Sequence, residues 1–229
     1  MKNCLTILFS TCFFCIKSLY AQQPSLEEIS NYQTITELAS SESNGNLSWA
    51  SAYKGNRNLY VAKYPNYNAE AVTFFTEKEE QEISNIQLSK DGKYVVFVRG
   101  GDHGGYLYKT PNNALSYPET PTITIWRTEL STNKTIPLAE GDKPSISPDG
   151  TKVSFIKNGE IWSVSIDGGP TKMLVHSLGK CSDIQWSPDS SAIAFVSNRQ
   201  GHSFVGIYKS PNVPIEWIEP SVFVDASPR

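Results

Sequence analysis

Histidine and cysteine, on which most metal centres and many nucleophilic sites are built, are scarce in this chain. Only His103, His176 and His202 occur, and none is paired at i, i+4 or set beside cysteines, so nothing supports a zinc site. Of the 4 cysteines, Cys4, Cys12 and Cys15 crowd the amino terminus and only Cys181 lies in the body of the chain, so no disulfide framework is expected there. Cys12 and Cys15 match a redox dithiol spacing, but the strand-to-helix setting such a site needs is missing. Cys181 reads as a small buried hydrophobe. No Gly-x-Ser-x-Gly pentapeptide is present, which removes the nucleophile elbow of an α/β-hydrolase. A P-loop and a dinucleotide fingerprint are absent as well. The expectation is therefore no catalytic residue, no metal ligand and no cofactor.

Long apolar runs are also lacking. Leu5 to Ile16 is dominated by apolar residues but falls short of the ~20 needed to span a bilayer. Preceded by Met1-Lys2 and followed by Leu19-Tyr20-Ala21 before Gln22-Gln23, it has the layout of a secretory signal peptide over residues 1–21. A periplasmic or secreted location follows, with no stable membrane span after cleavage; an uncleaved anchor is the other reading. Without Lys2 and Lys17, residues 22–229 carry 18 basic and 23 acidic residues, a formal charge of −5. Nucleic acid is accordingly not expected as a partner. Helix signals are few, the best being Ser25 as N-cap with Glu28 completing a capping box.

What the chain does have is one phrase repeated. Ser89-Lys90-Asp91-Gly92, Ser147-Pro148-Asp149-Gly150 and Ser187-Pro188-Asp189-Ser190 are each followed by a phenylalanine eight residues after the serine, at Phe97, Phe155 and Phe195. Pro at the first central position sets φ for a tight turn, Asp hydrogen-bonds the backbone that follows it, and Gly accepts positive φ. Around the second copy, Lys152 to Ile156 alternates polar with apolar, Asn158-Gly159 signals a hairpin, and Ile161 to Ile166 and Lys172 to Val175 supply two more strands. Four antiparallel strands in sequence make one propeller blade. Tyr53 and Tyr60 stand as far apart as Phe155 and Trp162, so they are matched to that pair in a first blade, whose turn has drifted to Ser43-Asn44-Gly45-Asn46.

The chain thus reads as all-β, a partial β-propeller of about four four-stranded antiparallel blades near residues 35–76, 83–140, 143–176 and 182–219, with the start of a fifth at 222–229. Ser227-Pro228-Arg229 repeats the approach to a turn seen at Pro144. The chain is therefore expected to be the amino-terminal part of a longer protein, the alternative being a small self-closed four-bladed ring.

The phenylalanine spacings of 58 and 40 place an inserted loop in the second blade, between Gly100 and Pro121. It opens with Arg99-Gly100-Gly101-Asp102-His103-Gly104-Gly105. Loops on rigid rims often bind ligands. Arg99 is suited to grip a carboxylate bidentately, and Asp102 or Glu119 to meet an amino group, making Arg99, Asp102 and Glu119 the candidate substrate-binding residues. The competing reading is that the glycines let the chain leave its strand sharply, with Arg99 and Asp102 as a local ion pair.

The Ser-Pro-Asp-Gly blades, the opening Pro24-Ser25-Leu26-Glu27-Glu28-Ile29, and Phe97-Val98-Arg99-Gly100-Gly101-Asp102 followed by Pro111-Asn112 and Ile125-Trp126 resemble the amino-terminal propeller of secreted bacterial serine peptidases of the prolyl oligopeptidase family, of the acylaminoacyl-peptidase or dipeptidyl-aminopeptidase type. The resemblance covers Gln22 to Arg229; the blade motif alone is shared with TolB-like periplasmic propellers. It implies a propeller that filters and orients peptide substrates for a carboxyl-terminal hydrolase domain carrying Ser, Asp and His. That domain has no counterpart in this sequence, so no catalytic residue is carried over and the chain alone is expected to be inactive. A stand-alone propeller that binds a protein partner is the alternative.

Overall fold

The computed structural model describes residues 25–76, 81–101, 113, 116–119 and 121–218. The signal-peptide segment, Asp102, His103 and the proposed fifth-blade start lie outside the described residues. The residues up to Tyr32 and those from Gln33 onward form two compact units. In the first, among the described residues, a short helix, α1 (Leu26–Ser30), carries the full capping box: the Glu28 amide donates to Ser25 Oγ at 3.1 Å and the Ser25 amide donates to Glu28 Oε2 at 2.7 Å.

The second unit is four antiparallel sheets of four strands, each connected in simple sequential order. Sheet 1 comprises β1 (Thr34–Ser40), β2 (Leu47–Tyr53), β3 (Asn56–Ala62) and β4 (Ala69–Ala71); sheet 2 comprises β5 (Ile83–Leu88), β6 (Tyr94–Arg99), β7 (Thr124–Glu129) and β8 (Lys134–Glu140). Sheet 3 comprises β9 (Asp142–Ile146), β10 (Lys152–Lys157), β11 (Glu160–Ser165) and β12 (Lys172–Val175); sheet 4 comprises β13 (Lys180–Trp186), β14 (Ile193–Arg199), β15 (His202–Tyr208) and β16 (Glu216–Ile218). The all-β, four-blade architecture expected from the repeats is the one observed. First strands contact first strands, β1 on β5, β5 on β9 and β9 on β13. Ala39, Gln87, Ser145 and Gln185, one from each first strand, line a common cavity of about 360 Å³.

The repeated turn works as its residue types demand. In all three copies the serine hydroxyl donates to the aspartate carboxylate at 2.6 Å, and that carboxylate accepts the amide two residues on. The serine Oγ then accepts the amide of the residue five positions on, at Tyr94, Lys152 and Ala192. Gly92, Gly150 and Ser190 close the turns at φ of 66°, 70° and 62°. A second feature recurs: Asn85, Lys143 and Asp183, each four residues before a turn serine, have positive φ and sit at β-bulges. Glu37 has the same φ and the same bulge, which identifies Ser41 as the turn serine of sheet 1. Ser41 N donates to Asn46 O just as Ser147 N donates to Lys152 O. The turn therefore begins at Ser41, two residues ahead of the sequence assignment.

Pairing also corrects the match of Tyr53 to Phe155. Phe155 faces Trp162, and Phe97 faces Trp126, but in sheet 1 the cross-strand partner of Tyr60 is Trp49, while Tyr53 pairs with Asn56. The cause is the hairpin. Lys54-Gly55 (φ 50° and 83°) turns immediately after Tyr53, whereas Asn158-Gly159 (φ 55° and 83°) turns three residues after Phe155, and an antiparallel register is counted from its turn.

The core consists of three clusters, one between each pair of consecutive sheets. Ala50, Leu59 and Val61 of sheet 1 receive Phe97; Val96, Val98 and Ile125 of sheet 2 receive Phe155; Ile161 and Val175 of sheet 3 receive Phe195. Each phenylalanine is fully buried and plugs its sheet into the one before it.

Candidate ligand groove on the second sheet

Strand β6 ends at Arg99, and the chain leaves it through Gly100. At φ 101°, and with a Cβ placed there lying 2.9 Å from Thr122 O, this position requires glycine. The Gly100 amide donates to Glu82 O at 2.9 Å, tying the exit to the start of β5. The inserted loop returns into β7, where Thr124 pairs with Arg99 across the sheet. The two ends of the insertion are thus held side by side.

Between them lies a groove of about 600 Å³, lined by Gln81, Arg99, Tyr117, Glu119, Thr124 and Trp126 together with Pro118, Pro121 and Thr122. Of the three residues singled out from sequence, Arg99 and Glu119 line this one groove, and Asp102 lies outside the described residues. The Gly100 exit and the return at Thr122 to Thr124 place the two ends of the insertion beside Arg99.

Two supports of the groove were not apparent from sequence. The Arg99 guanidinium lies 4.4 Å over the ring of Phe75, a favourable cation–π arrangement. Phe75 meets Trp126 edge-on at 5.8 Å and Phe97 at 6.4 Å. Phe75 comes from the segment after sheet 1 and is held by Asn58, whose Oδ1 accepts the Phe75 amide at 2.7 Å and whose Nδ2 donates to Phe75 O at 3.0 Å. Thr73 Oγ1 donates to the same Asn58 Oδ1 and accepts the Leu59 amide. On the loop side, Asn113 braces Tyr117 by taking its amide at 2.8 Å and donating to its carbonyl at 2.9 Å. The groove therefore combines a cation seated on an aromatic ring, a carboxylate, a phenol, an indole and two prolines. Such a set can take an extended peptide, pairing charged groups at Arg99 and Glu119 and apolar side chains on the rings.

A neighbouring cavity of about 810 Å³ shares Pro121 and Thr122 and is lined by Glu140, Lys143, Lys157, Lys180 and Cys181 among others. Lys157 Nζ meets Glu140 Oε2 at 2.9 Å, an exposed ion pair. Burial pushes the Cys181 thiol up to about 11, so it stays protonated near neutrality and is no ready nucleophile. His176 Nδ1 faces Glu160 Oε1 at 2.5 Å in an exposed setting. Among the described residues no group of three or more His, Cys, Asp or Glu side chains is placed to hold a metal ion, and no helix is long and apolar enough to cross a membrane.

No family model matches the chain. A stretch of 68 residues is 29% identical to an uncharacterized peptidase of Bacillus subtilis (strain 168), YuxL, covering 25% of this chain and 10% of that protein. Among solved structures, a prolyl endopeptidase superposes over 84% of this chain and 30% of its own length with a TM-score of 0.60 at 13% identity. The β-propeller domain of the Trilobed protease from Pyrococcus furiosus matches over 82% of this chain and 58% of that chain, TM-score 0.54, 12% identity. TolB from Acinetobacter baumannii matches over 82% and 44%, TM-score 0.54, 18% identity. The chain spans only part of each of these proteins. At such identities the superpositions show a shared fold: the four sheets are propeller blades.

Proposed function

We propose that this chain is the substrate-binding propeller part of a secreted or periplasmic serine peptidase, and that the groove between β6, β7 and the inserted loop receives the peptide. The observation that carries this reading is the meeting of Arg99 and Glu119, far apart in sequence, in one aromatic-walled groove. Arg99 pairs with a peptide carboxylate, its guanidinium plane held by Phe75, and Glu119 pairs with an amino group. Proline-flanked Tyr117 and Trp126 accept the apolar side chains between those charges. The peptidase likenesses in fold and in the short aligned segment support the assignment. The chemistry of hydrolysis belongs to a serine hydrolase domain that has no counterpart in this sequence, and residues 22–229 on their own are expected not to cleave aminoacyl-nitroanilides.

Calorimetric titration with a short proline-containing peptide tests the groove. Expected is binding by the free peptide, at least tenfold weaker binding when both its ends are capped, and a comparable loss in Arg99→Met and in Glu119→Gln. Equal affinity for free and capped peptides, or full affinity in both variants, would overturn the assignment.

A further inference from the structure

Between sheets 3 and 4, at the rim that carries the Ser-Pro-Asp turns and not at the rim of the peptide groove, lies a pocket of about 400 Å³. Its origin can be read from the repeat. Tyr94 in sheet 2 and Lys152 in sheet 3 each follow their turn serine by five residues, and Val96 and Ser154 by seven; across the sheet, Val96 pairs with Arg127 where Ser154 pairs with Ser163. Between sheets 2 and 3 these positions are filled. Tyr94, Val96 and Arg127 are all buried there, the Arg127 guanidinium lies 4.8 Å over the Tyr94 ring, and its Nε donates to Ile166 O at 2.9 Å. Between sheets 3 and 4 a lysine and two small serines stand in their place, and the space stays open.

The opening is cationic. Lys152, Lys172 and Lys209 line it, and no carboxylate does. Lys209 Nζ is paired with Glu216 Oε2 at 2.9 Å, but Lys152 and Lys172 form no ion pair among the described residues, which leaves two positive charges to be balanced. The turn aspartates Asp149 and Asp189 are engaged by their own serine hydroxyls and turn amides. Tyr208 lines the same pocket and is only 8% exposed, yet its hydroxyl has no hydrogen-bond partner among the described residues, and neither has Ser163 Oγ. A hydroxyl on a side chain buried to this extent is ordinarily satisfied, so an acceptor from outside the chain is called for. Ser190 Oγ accepts the Asp149 amide at 3.0 Å and keeps its own hydrogen to donate.

We propose that this pocket binds the phosphate monoester of a small organic molecule. The dianionic phosphoryl group balances Lys152 and Lys172 and accepts from the hydroxyls of Tyr208, Ser163 and Ser190, whereas a single carboxylate would leave one lysine unbalanced. Trp186, Leu174 and Pro211 form the apolar wall on which the organic part rests, and the volume is that of a small-molecule site. Two consecutive sheets wall the pocket, so the inference depends neither on the peptide groove nor on what lies beyond either end of the series.

Calorimetric titration of the full chain with phenyl phosphate and with inorganic phosphate tests it. Expected is saturable binding of one phenyl phosphate per chain, roughly threefold or more tighter than inorganic phosphate, and roughly tenfold weaker in Lys152→Met and in Lys172→Met. Tyr208→Phe, which removes only the hydroxyl, weakens binding roughly threefold while the thermal melt stays close to that of the parent chain. Lys134→Met alters an exposed lysine of the same rim outside the pocket and leaves binding unchanged, which separates a built site from a diffuse attraction for anions. No saturable binding, full affinity in either pocket lysine variant or in Tyr208→Phe, an equal loss in Lys134→Met, or inorganic phosphate bound as tightly as phenyl phosphate would each overturn the proposal.

Discussion

Gly92 and Gly150 occupy the same position of the same turn at nearly the same φ, 66° and 70°, yet their surroundings differ completely. A Cβ at Gly150 meets nothing within 4 Å, whereas one at Gly92 falls 1.9 Å from Asn44 Nδ2. Gly150→Ala therefore measures backbone strain alone, about 1–2 kcal/mol for an alanine held in the left-handed region. For a domain of this size that lowers Tm by about 2–4 °C per kcal/mol. Gly92→Ala carries the same strain and also drives Asn44 away. Asn44 then loses its 3.0 Å bond to Asp91 O and the 3.1 Å bond it accepts from the Asn46 amide. At about 1 kcal/mol per bond, the total reaches about 3–4 kcal/mol. Urea titrations of the two single variants, of Asn44→Ala, and of Asn44→Ala combined with Gly92→Ala form a cycle that isolates the added cost. In the Asn44→Ala background, Gly92→Ala should cost only what Gly150→Ala costs. If Gly92→Ala costs the same with and without Asn44, the reasoning from the close approach fails.

Three further outcomes follow from the same geometry. The turn aspartates Asp91, Asp149 and Asp189 are held below the usual carboxylate range by their serine hydroxyls, Asp189 at about 2. Because the folded values are depressed, their stabilisation is complete above the unfolded value of about 3.9 and is lost as pH falls toward 2. Thermal melts should drop over that window and drop less in Ser187→Ala; an identical drop in that variant would contradict it. Cys181, with its thiol at about 11, should react with iodoacetamide at pH 8 far more slowly in the folded chain than in urea, and equal rates would refute the burial argument. A Cβ at Gly206 lies 2.6 Å from Phe195 Cζ and 2.9 Å from Trp217 Cζ3, so Gly206→Ala should destabilise by about 1–3 kcal/mol through overpacking. Phe195→Leu should relieve much of that added cost; a purely additive double variant would argue against the contact.

The blades were legible because their signal is local and repeated. A Ser-Pro-Asp-Gly turn sets its own hydrogen bonds, and the phenylalanine eight residues on is carried by strand alternation onto the buried face, at Phe97, Phe155 and Phe195 alike. Sheet 1 was misread for the complementary reason. Its turn keeps the serine at Ser41 and the bulge at Glu37 but has lost the Pro-Asp-Gly wording, and its hairpin turns closer to Tyr53 than the third sheet's does to Phe155. Equal spacing along the chain then matched the wrong aromatic residue, because pairing is counted outward from the turn and not along the sequence. Trp49 does stand eight residues after Ser41, as Phe155 does after Ser147, but only the bulge and the register single out Ser41 as the turn serine.

The groove divides in the same way. Arg99 and Glu119 stood out because charged residues flanking a glycine- and proline-rich insertion are conspicuous in an otherwise alternating chain. Phe75 and Asn58 did not, because their roles arise across a boundary between sheets: Asn58 on β3 fixes the backbone at Phe75, and Phe75 carries the guanidinium of Arg99 on sheet 2. This chain of contacts makes sheet 1 part of the groove although none of its strands lines it. Removing the Asn58 side chain in Asn58→Ala should leave Arg99 in place by its backbone pairing with Thr124 while loosening the Phe75 ring beneath its guanidinium. Peptide affinity should then fall without loss of the blades, and Asn58→Asp, which keeps an acceptor for the Phe75 amide, should recover part of it. Unchanged affinity in Asn58→Ala would show that the ring under Arg99 does not hold it in its working orientation.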